Sequence, residues 1–460
     1  MTFHLPRIVV SLAALAGAVF ILMPVPAGMS PVMVRAAAMI VVALGIWSTA
    51  AMPSYFGSLL FLFGAMVLAV APANVVFSGF HAGATWLVFG GLVIGLGVQR
   101  TGLDVRLVRN MLDLFPRSYL ALTYGVFAGG AAMTLFVPSA SGRVALLVPV
   151  VIALAAKLGF GEDSKARTGL VMAATMGTMT PGFSILPSNV PNMGLYGAVE
   201  SIYGIHLTFA DYTGLNFPVL GISALIFYPL IICLLFRETP TRIAETGAAA
   251  PWSAKERNLL AVLVLALVLW VTDRWHGISP AWVALGAALL IVTPRVGALP
   301  IPSLAKELDY GPVLFVAGII GLGAVVTETG IGALVADQVL RVAPLAPGHD
   351  ALNYAIIVAV GMVVGVFTTL PAQPSVIVPL AQHMADAAGW PLMSVLLAPV
   401  ASWSAFPFYY QTPPVVLAVA LANLRIGRVT LLLCTYMVFA LLVVLPLHYM
   451  WGRALGYFGG

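Results

Sequence analysis

"FVPSASGRVALLVPVV", residues 136–151, sets an arginine among residues that are otherwise apolar or small. An ionisable side chain at membrane depth is costly and faces a bundle interior or a water-filled cavity. Pro138 cannot donate a backbone hydrogen bond, and Gly142 tolerates unusual dihedrals, so a helix entering this stretch opens. Opened backbone survives in a membrane only inside protein or beside water. The flanking arms, "SYLALTYGVFAGGAAMTLFVP" and "VALLVPVVIALAAKLGF", are apolar and both end in charge. Residues 118–160 therefore read as a re-entrant hairpin entering from the inner face, with its tip at "PSASG".

The rest of the chain supplies the setting. Of 460 residues, 61% are hydrophobic and 8% charged, with a mean hydropathy of +1.05. A soluble domain carries roughly 25% charged residues. Runs such as "RIVVSLAALAGAVFILMP" and "VTLLLCTYMVFALLVVLPL" approach the ~20 residues that cross a bilayer. The expected fold is all-α and polytopic, with about 11 spans across a plasma or bacterial inner membrane. Arg7 ahead of the first run suggests a signal peptide, but the run is too long and many spans follow, so it reads as a retained helix. Cys233 and Cys434 sit in apolar runs without metal-ligand spacing and read as small core residues. A cytoplasmic amino terminus puts most of the 21 basic residues inside, among them the 100–117, 157–167 and 237–257 stretches, and leaves the carboxyl terminus outside. The +5 net charge is thus explained by topology and calls for no nucleic-acid partner.

The chain repeats itself. "VFGGLVIGLGVQRTGLDVRLV", from Val88, matches "VAGIIGLGAVVTETGIGALVA", from Val316, with Gly90/Gly318, Gly95/Gly323 and Gly102/Gly330 in register. "SASGRVALLVP", from Ser139, matches "TLPAQPSVIVP", from Thr369, and "NVPN" at Asn189 matches "TPPV" at Thr412. The three matches keep one order and nearly one spacing, which composition alone does not produce. An odd number of crossings separates the copies, so the second is expected inverted, as in secondary transporters. Residues 1–102 and 259–330 would be scaffold helices. Residues 103–236 and 331–460 would each supply an interfacial helix, a hairpin, a broken helix and a last span to a transport part, with 237–258 a cytoplasmic linker. "LDVRLVRNMLDLFPR" and "IGALVADQVLRVAP" suit the two interfacial helices, and Glu328 would start the second.

Four breaks follow from the prolines. The second hairpin turns at "TTLPAQP", where Pro371 and Pro374 interrupt the helix. "LPSNVPNMG" and "YYQTPPVV" interrupt the spans 168–200 and 391–424 through Pro187, Pro191, Pro413 and Pro414. Ser188, Asn189, Asn192 and Thr412 add polar side chains there. Freed carbonyls can hold a small hard cation such as Na+, and half-helix amino termini can hold an anion.

At these residues the sequence resembles the divalent anion/sodium symporter family of the wider ion transporter superfamily. That family carries a Ser-Asn-Thr motif at each hairpin tip, a proline ten residues after its serine, and a Thr-Pro-Pro-Asn-like motif at each broken helix. Ser139, Ser141 and Pro149 keep the first pattern; Thr369 and Pro379 keep part of the second; "NVPN" and "TPPV" keep part of the other motif. The resemblance covers roughly residues 30–450. It implies a homodimer in lipid, whose mobile part moves like an elevator and carries a dicarboxylate, a citrate-like anion or sulfate, with Na+-coupled symport as the expected mode. Carried over by position, the substrate contacts are Ser139, Ala140, Ser141, Thr369, Leu370 and Pro371. The cation shell draws on Ser139, Asn189, Asn192, Thr369 and Thr412. Na+ is the one ion implied; no other metal and no cofactor is.

The sequence departs from the family at both tip asparagines, replaced by Ala140 and Leu370, neither of which can donate to a carboxylate. Arg143 has three readings in that light. It clamps the anion in place of the lost amides, since a guanidinium binds carboxylate or sulfate bidentately. It takes the place of one Na+, giving a cation-independent exchanger. Or it is structural, bonded to opened carbonyls. A proton-coupled carrier is a further alternative, with His383 as shuttle or simply loop-facing. Gln373 and Gln411 stand at breaks where they can meet substrate. A channel has similar broken helices but no need of paired repeats. An intramembrane enzyme needs a nucleophile with its base, paired carboxylates or a metal cluster, none of which the sequence offers at working spacing. The expected activity is transport, not catalysis.

Overall fold

The computed structural model describes residues 17, 24–26, 28–49, 52–103, 106, 118–135, 139–239, 251–294 and 297–459. Most of the expected first span, most of the expected inner interfacial helix, Pro138 and residues 240–250 of the linker lie outside them. The described residues are helical and contain no strand.

The first half runs α1 (Pro31–Thr49), α2 (Ser54–Val67), α3 (Gly83–Thr101), α4 (Tyr119–Met133), α5 (Ala140–Lys157), α6 (Lys165–Gly177), α7 (Val190–Tyr203) and α8 (Phe209–Phe236). The second runs α9 (Ala254–Val271), α10 (Pro280–Val292), α11 (Gly311–Glu328), α12 (Ile331–Val342), α13 (Asp350–Phe367), α14 (Gln373–Ile377), α15 (Leu392–Leu397), α16 (Pro413–Ala422) and α17 (Ile426–Ala454). Among the described residues five helices are long and apolar enough to cross a membrane: α5, α8, α11, α13 and α17. Several shorter apolar helices, including α4 and α16, complete broken or hairpin elements.

The repeat is visible element by element. α3 and α11 end in Gly102 and Gly330, at φ +75° and +77°, a left-handed turn that glycine adopts without steric cost. Glu328 accordingly closes α11 rather than opening α12. In α12 the buried positions are Gly332 and Ala336, while Val342 is 82% exposed, as fits a helix lying on the surface. The hairpin α4–α5 corresponds to α13–α14, and the broken helix α6–α7 to α15–α16. α8 and α17 each contain a π turn, at Phe217–Gly221 and Ala440–Val444, equally far downstream of Asn189 and Thr412. A proline adjoins each, Pro218 and Pro446; its missing N–H and its ring oppose a regular α turn.

Small residues set the helix spacing, because lipid supplies no hydrophobic drive between helices. A Cβ on Gly90 of α3 would lie 2.6 Å from the Ala284 carbonyl carbon of α10. One on Gly318 of α11 would lie 2.3 Å from the Ser58 Cβ of α2. One on Gly177 of α6 would meet the Phe127 carbonyl oxygen of α4 at 2.4 Å. The glycines of "FGGLVIGLG" thus serve close packing, and Gly91 and Gly95 additionally wall a cavity.

Candidate functional site

The cavity, of about 570 Å³, forms where the two hairpin tips and the two breaks meet. Ser139, Ala140, Ser141 and Gly142 come from the first tip, and Leu370 and Pro371 from the second. Met179, Phe183 and Asn189–Pro191 come from the first break, and Thr412–Pro414 from the second. The opposite wall comes from Gly91, Gly95 and Gln99 of α3, Tyr55 of α2, Phe315 of α11 and the Glu307–Asp309 loop.

Local chemistry explains each opening. Ser139 is the N-cap of α5: its Oγ accepts from the Gly142 N–H at 3.1 Å. α7 begins at Asn189 and α16 at Thr412, both with extended backbone, where the following prolines set the helical φ. The helix amino termini of α5, α7 and α16 therefore converge on one volume. Their dipoles favour an anion, and α5 and α7 add first-turn N–H groups, which Pro413 and Pro414 deny to α16. The acids of the cavity, Glu307 and Asp309, stand on that opposite wall. Arg100 pairs with Glu307, and together with the Ser303 hydroxyl it holds that carboxyl below the ordinary carboxylate range.

Arg143 is fully buried and does not line the cavity. Its Nε donates to the Thr178 carbonyl at 2.9 Å, Nη1 to the Ser188 carbonyl at 3.0 Å and Nη2 to Asn189 Oδ1 at 2.6 Å. The guanidinium thus bridges both sides of the first break, between the end of α6 and the start of α7. Its position speaks against the anion clamp and fits the two readings in which it satisfies opened oxygens. The reason is azimuth: Arg143 sits in the first turn of α5, on the side facing α6, and Ser139–Ser141 take the side facing the cavity.

Gln373 is likewise set apart. Its Nε2 donates to the Gly361 carbonyl and to Ser402 Oγ, and its Oε1 accepts from the Trp403 indole. This amide has no spare group for substrate. Thr369 is buried beneath the second tip, its carbonyl accepting from the Ala372 and Gln373 N–H groups at 2.9 and 3.1 Å. Asn192 also stands behind the lining, its Nδ2 donating to the Gly182, Phe183 and Ile185 carbonyls. Gln411 braces the second break instead of facing the cavity: its carbonyl accepts from Leu370 N–H at 2.9 Å. Two oxygens named from sequence, Thr412 Oγ1 and Asn192 Oδ1, are buried without a hydrogen-bond partner. His383 lies on the helix after α14, away from the cavity lining.

The wall residues Tyr55, Gln99 and Phe315 carry no break and no charge, so the chain offers no local signal for them. α7 is held against α3 and α10. Tyr196 Oη and Ser279 Oγ are 2.7 Å apart, and Glu200 Oε2 accepts from the Gly83 N–H at 2.8 Å.

Comparison with known proteins agrees with this geometry. A membrane protein of Cupriavidus necator is 25% identical over 75% of this chain and 72% of its own length. The sodium-dependent dicarboxylate transporter SdcS of Staphylococcus saprophyticus is 21% identical over 80% of this chain and 76% of its own. In fold, the YdaH transporter of Alcanivorax borkumensis aligns with a TM-score of 0.50 at 16% identity, covering 97% of this chain and 96% of that one. The model of the family described as "Sodium:sulfate symporter transmembrane region" matches residues 5–458. With its tip and break motifs gathered on one cavity, the chain belongs to that family of integral membrane transporters and is not an enzyme.

Proposed function

We propose that this chain is a carrier of a small di- or trivalent anion, a dicarboxylate, a citrate-like anion or sulfate, working by elevator-type alternating access and using Arg143 as a built-in cation. The observation that carries the reading is the convergence of two hairpin tips and two helix breaks on a single cavity. The mobile part comprises α4–α8 and α13–α17, and the scaffold α1–α3 and α9–α11. The amino terminus is cytoplasmic, the cavity faces inward, and the functional unit is a homodimer in the bilayer. Helix amino termini hold the anion at Ser139–Ser141, next to the Leu370–Pro371 tip.

Arg143 spans three oxygens, Thr178 O, Ser188 O and Asn189 Oδ1, of the kind a hard cation takes as ligands. A guanidinium stays charged and cannot dissociate. At that niche the carrier therefore needs no Na+, which favours exchange or substrate-gradient transport over strict symport. A second reading, Na+-coupled symport, has its own support in the partnerless Thr412 Oγ1 at the cavity. The SdcS relative, named as sodium-dependent, points the same way.

The test is uptake and counterflow in proteoliposomes with Na+ or choline outside. A built-in cation predicts equal rates in the two salts for the wild type and trans-acceleration by internal substrate. Uptake that requires Na+ selects the second reading, and uptake without trans-acceleration overturns the carrier. Normal uptake by Arg143→Ala would falsify the role given to the guanidinium.

A further inference from the structure

We infer that Glu200 and Asp273 are positioning residues that set which face the carrier opens to, by capping helices across the seam between its two parts. The inference rests on the elevator reading above and deepens it, naming what holds the mobile part at one end of its path.

Helix α3 begins at Gly83 behind Ala82, whose side chain accepts no hydrogen bond, so its first turn has no cap of its own. The cap comes from α7. Glu200 Oε2 accepts from the Gly83 N–H at 2.8 Å, which sets a carboxylate on the positive end of the α3 dipole. The exchange is returned at α8, which begins at Phe209. There Thr208 uses its hydroxyl on the Asp211 N–H at 3.0 Å. The Phe209 N–H donates instead to Asp273 Oδ2, in the turn that follows α9. A carboxylate of the mobile part thus caps a scaffold helix, and a scaffold carboxylate caps a mobile one. Two further contacts join the same parts: Tyr196 with Ser279, the N-cap of α10, and the ion pair of Asp211 with Arg274.

The caps stand apart from the cavity. Gly91, which lines it, follows Gly83 by eight residues of one helix, or about 12 Å of rise. The repeat-equivalent loop, between α16 and α17, fastens the mobile part to itself. Arg425 pairs with Asp163 at 2.6 Å, Arg428 donates to the Asp163 carbonyl at 2.9 Å, and Arg167 donates to the Ala422 carbonyl at 3.1 Å. The first copy of the loop therefore works as a latch and the second does not.

Sliding α7 along α3 parts both carboxylates from their N–H groups and leaves two helix ends uncapped. The latch is releasable all the same. Asp273 is 3% exposed and its Oδ1 is buried without a partner, so opening the seam gives that oxygen water.

The test reads the facing directly. Spin labels are placed on Trp275→Cys of the scaffold and Asp386→Cys of the mobile part, both exposed, with Cys434→Ser as background. Pulsed EPR distances are then measured in nanodiscs without substrate. The wild type should give one dominant distance. Glu200→Ala and Asp273→Ala should each raise a second one, shifting the population ratio about tenfold, with Glu200→Gln, which keeps an acceptor, in between. The two carboxylates lie on opposite sides of the seam, so either variant decides the matter if the other does not fold. A lowered melting temperature with unchanged distances marks a merely structural role and overturns the latch. The carrier reading then stands if added succinate or sulfate brings out a second distance in the wild type. One distance in every protein and every condition overturns the elevator reading as well.

Discussion

Arg143 and Gln373 stand at the same place in the two halves of the molecule, each four residues after its tip residue, Ser139 or Thr369. Both are buried, and both reach across to the neighbouring broken helix: Arg143 to Thr178 and Ser188, Gln373 to Ser402 and Trp403. One joint is closed by a charge and the other by a neutral amide. Each side chain holds a hairpin to the break beside it, so each is a fastening of the cavity floor.

Gln373→Ala should therefore destabilise without touching the cavity. It leaves the buried Trp403 indole N–H without its acceptor, at about 1–3 kcal/mol for a buried group left unsatisfied, and takes one donor from the Gly361 carbonyl and from Ser402 Oγ, which keeps its bond to the Pro399 carbonyl. A melting temperature lowered by several degrees in detergent is the expected result. An unchanged value would show that the joint is not under load.

Arg143→Lys keeps the charge and loses the planar fork. A lysine ammonium cannot bridge Thr178 O, Ser188 O and Asn189 Oδ1 in the same geometry. Uptake should fall at least tenfold, and Arg143→Ala should abolish it while opening a niche lined by oxygens. The alanine variant, unlike the wild type, should then gain thermal stability from Na+ over choline, read by differential scanning fluorimetry.

Thr412→Val removes a buried hydroxyl that has no partner. Where that hydroxyl binds no ion, its loss relieves an unsatisfied group, so the melting temperature should hold or rise, by up to about 1 kcal/mol of stability. The result should be identical in Na+ and choline. A drop confined to Na+ would mark Thr412 as a ligand and favour symport.

Gly197→Leu tests the motion. A Cβ at this position of α7 would lie 2.3 Å from Ile320 Cδ1 of α11 and 2.7 Å from Ala84 Cβ of α3, helices that the elevator reading assigns to the scaffold. Leucine cannot be seated there, so the inward-facing contact should be blocked and uptake lost. Loss of uptake with intact size-exclusion behaviour supports sliding of α7 along α3 and α11; retained uptake argues against it.

The breaks were readable because proline and glycine act locally. The expected spans 168–200 and 391–424 enclose breaks between Lys165–Gly177 and Val190–Tyr203, and between Leu392–Leu397 and Pro413–Ala422. The direction in which Arg143 points was not readable. Sequence gives depth along a helix, whereas the facing of a first-turn side chain depends on which element packs beside it. Gln373 follows the same rule: a polar residue at a break looks available until its carbonyl and hydroxyl partners are placed. The π turns in α8 and α17 went unpredicted, although Pro218 and Pro446 inside apolar runs were their signal. Charge placement, not pattern, is what the tertiary structure adds.

A dissolved ion leaves the carrier at the end of each crossing, but a side chain rides back. On the elevator reading proposed above, Arg143 is bonded to the mobile part and its positive charge makes every trip, loaded or empty. A bound anion offsets it on one leg and leaves it bare on the other. Current should then flow on the empty return, where moving one charge through 100 mV is worth about 2.3 kcal/mol. Membrane voltage together with the substrate gradient, rather than a sodium gradient, would set the direction of net flux.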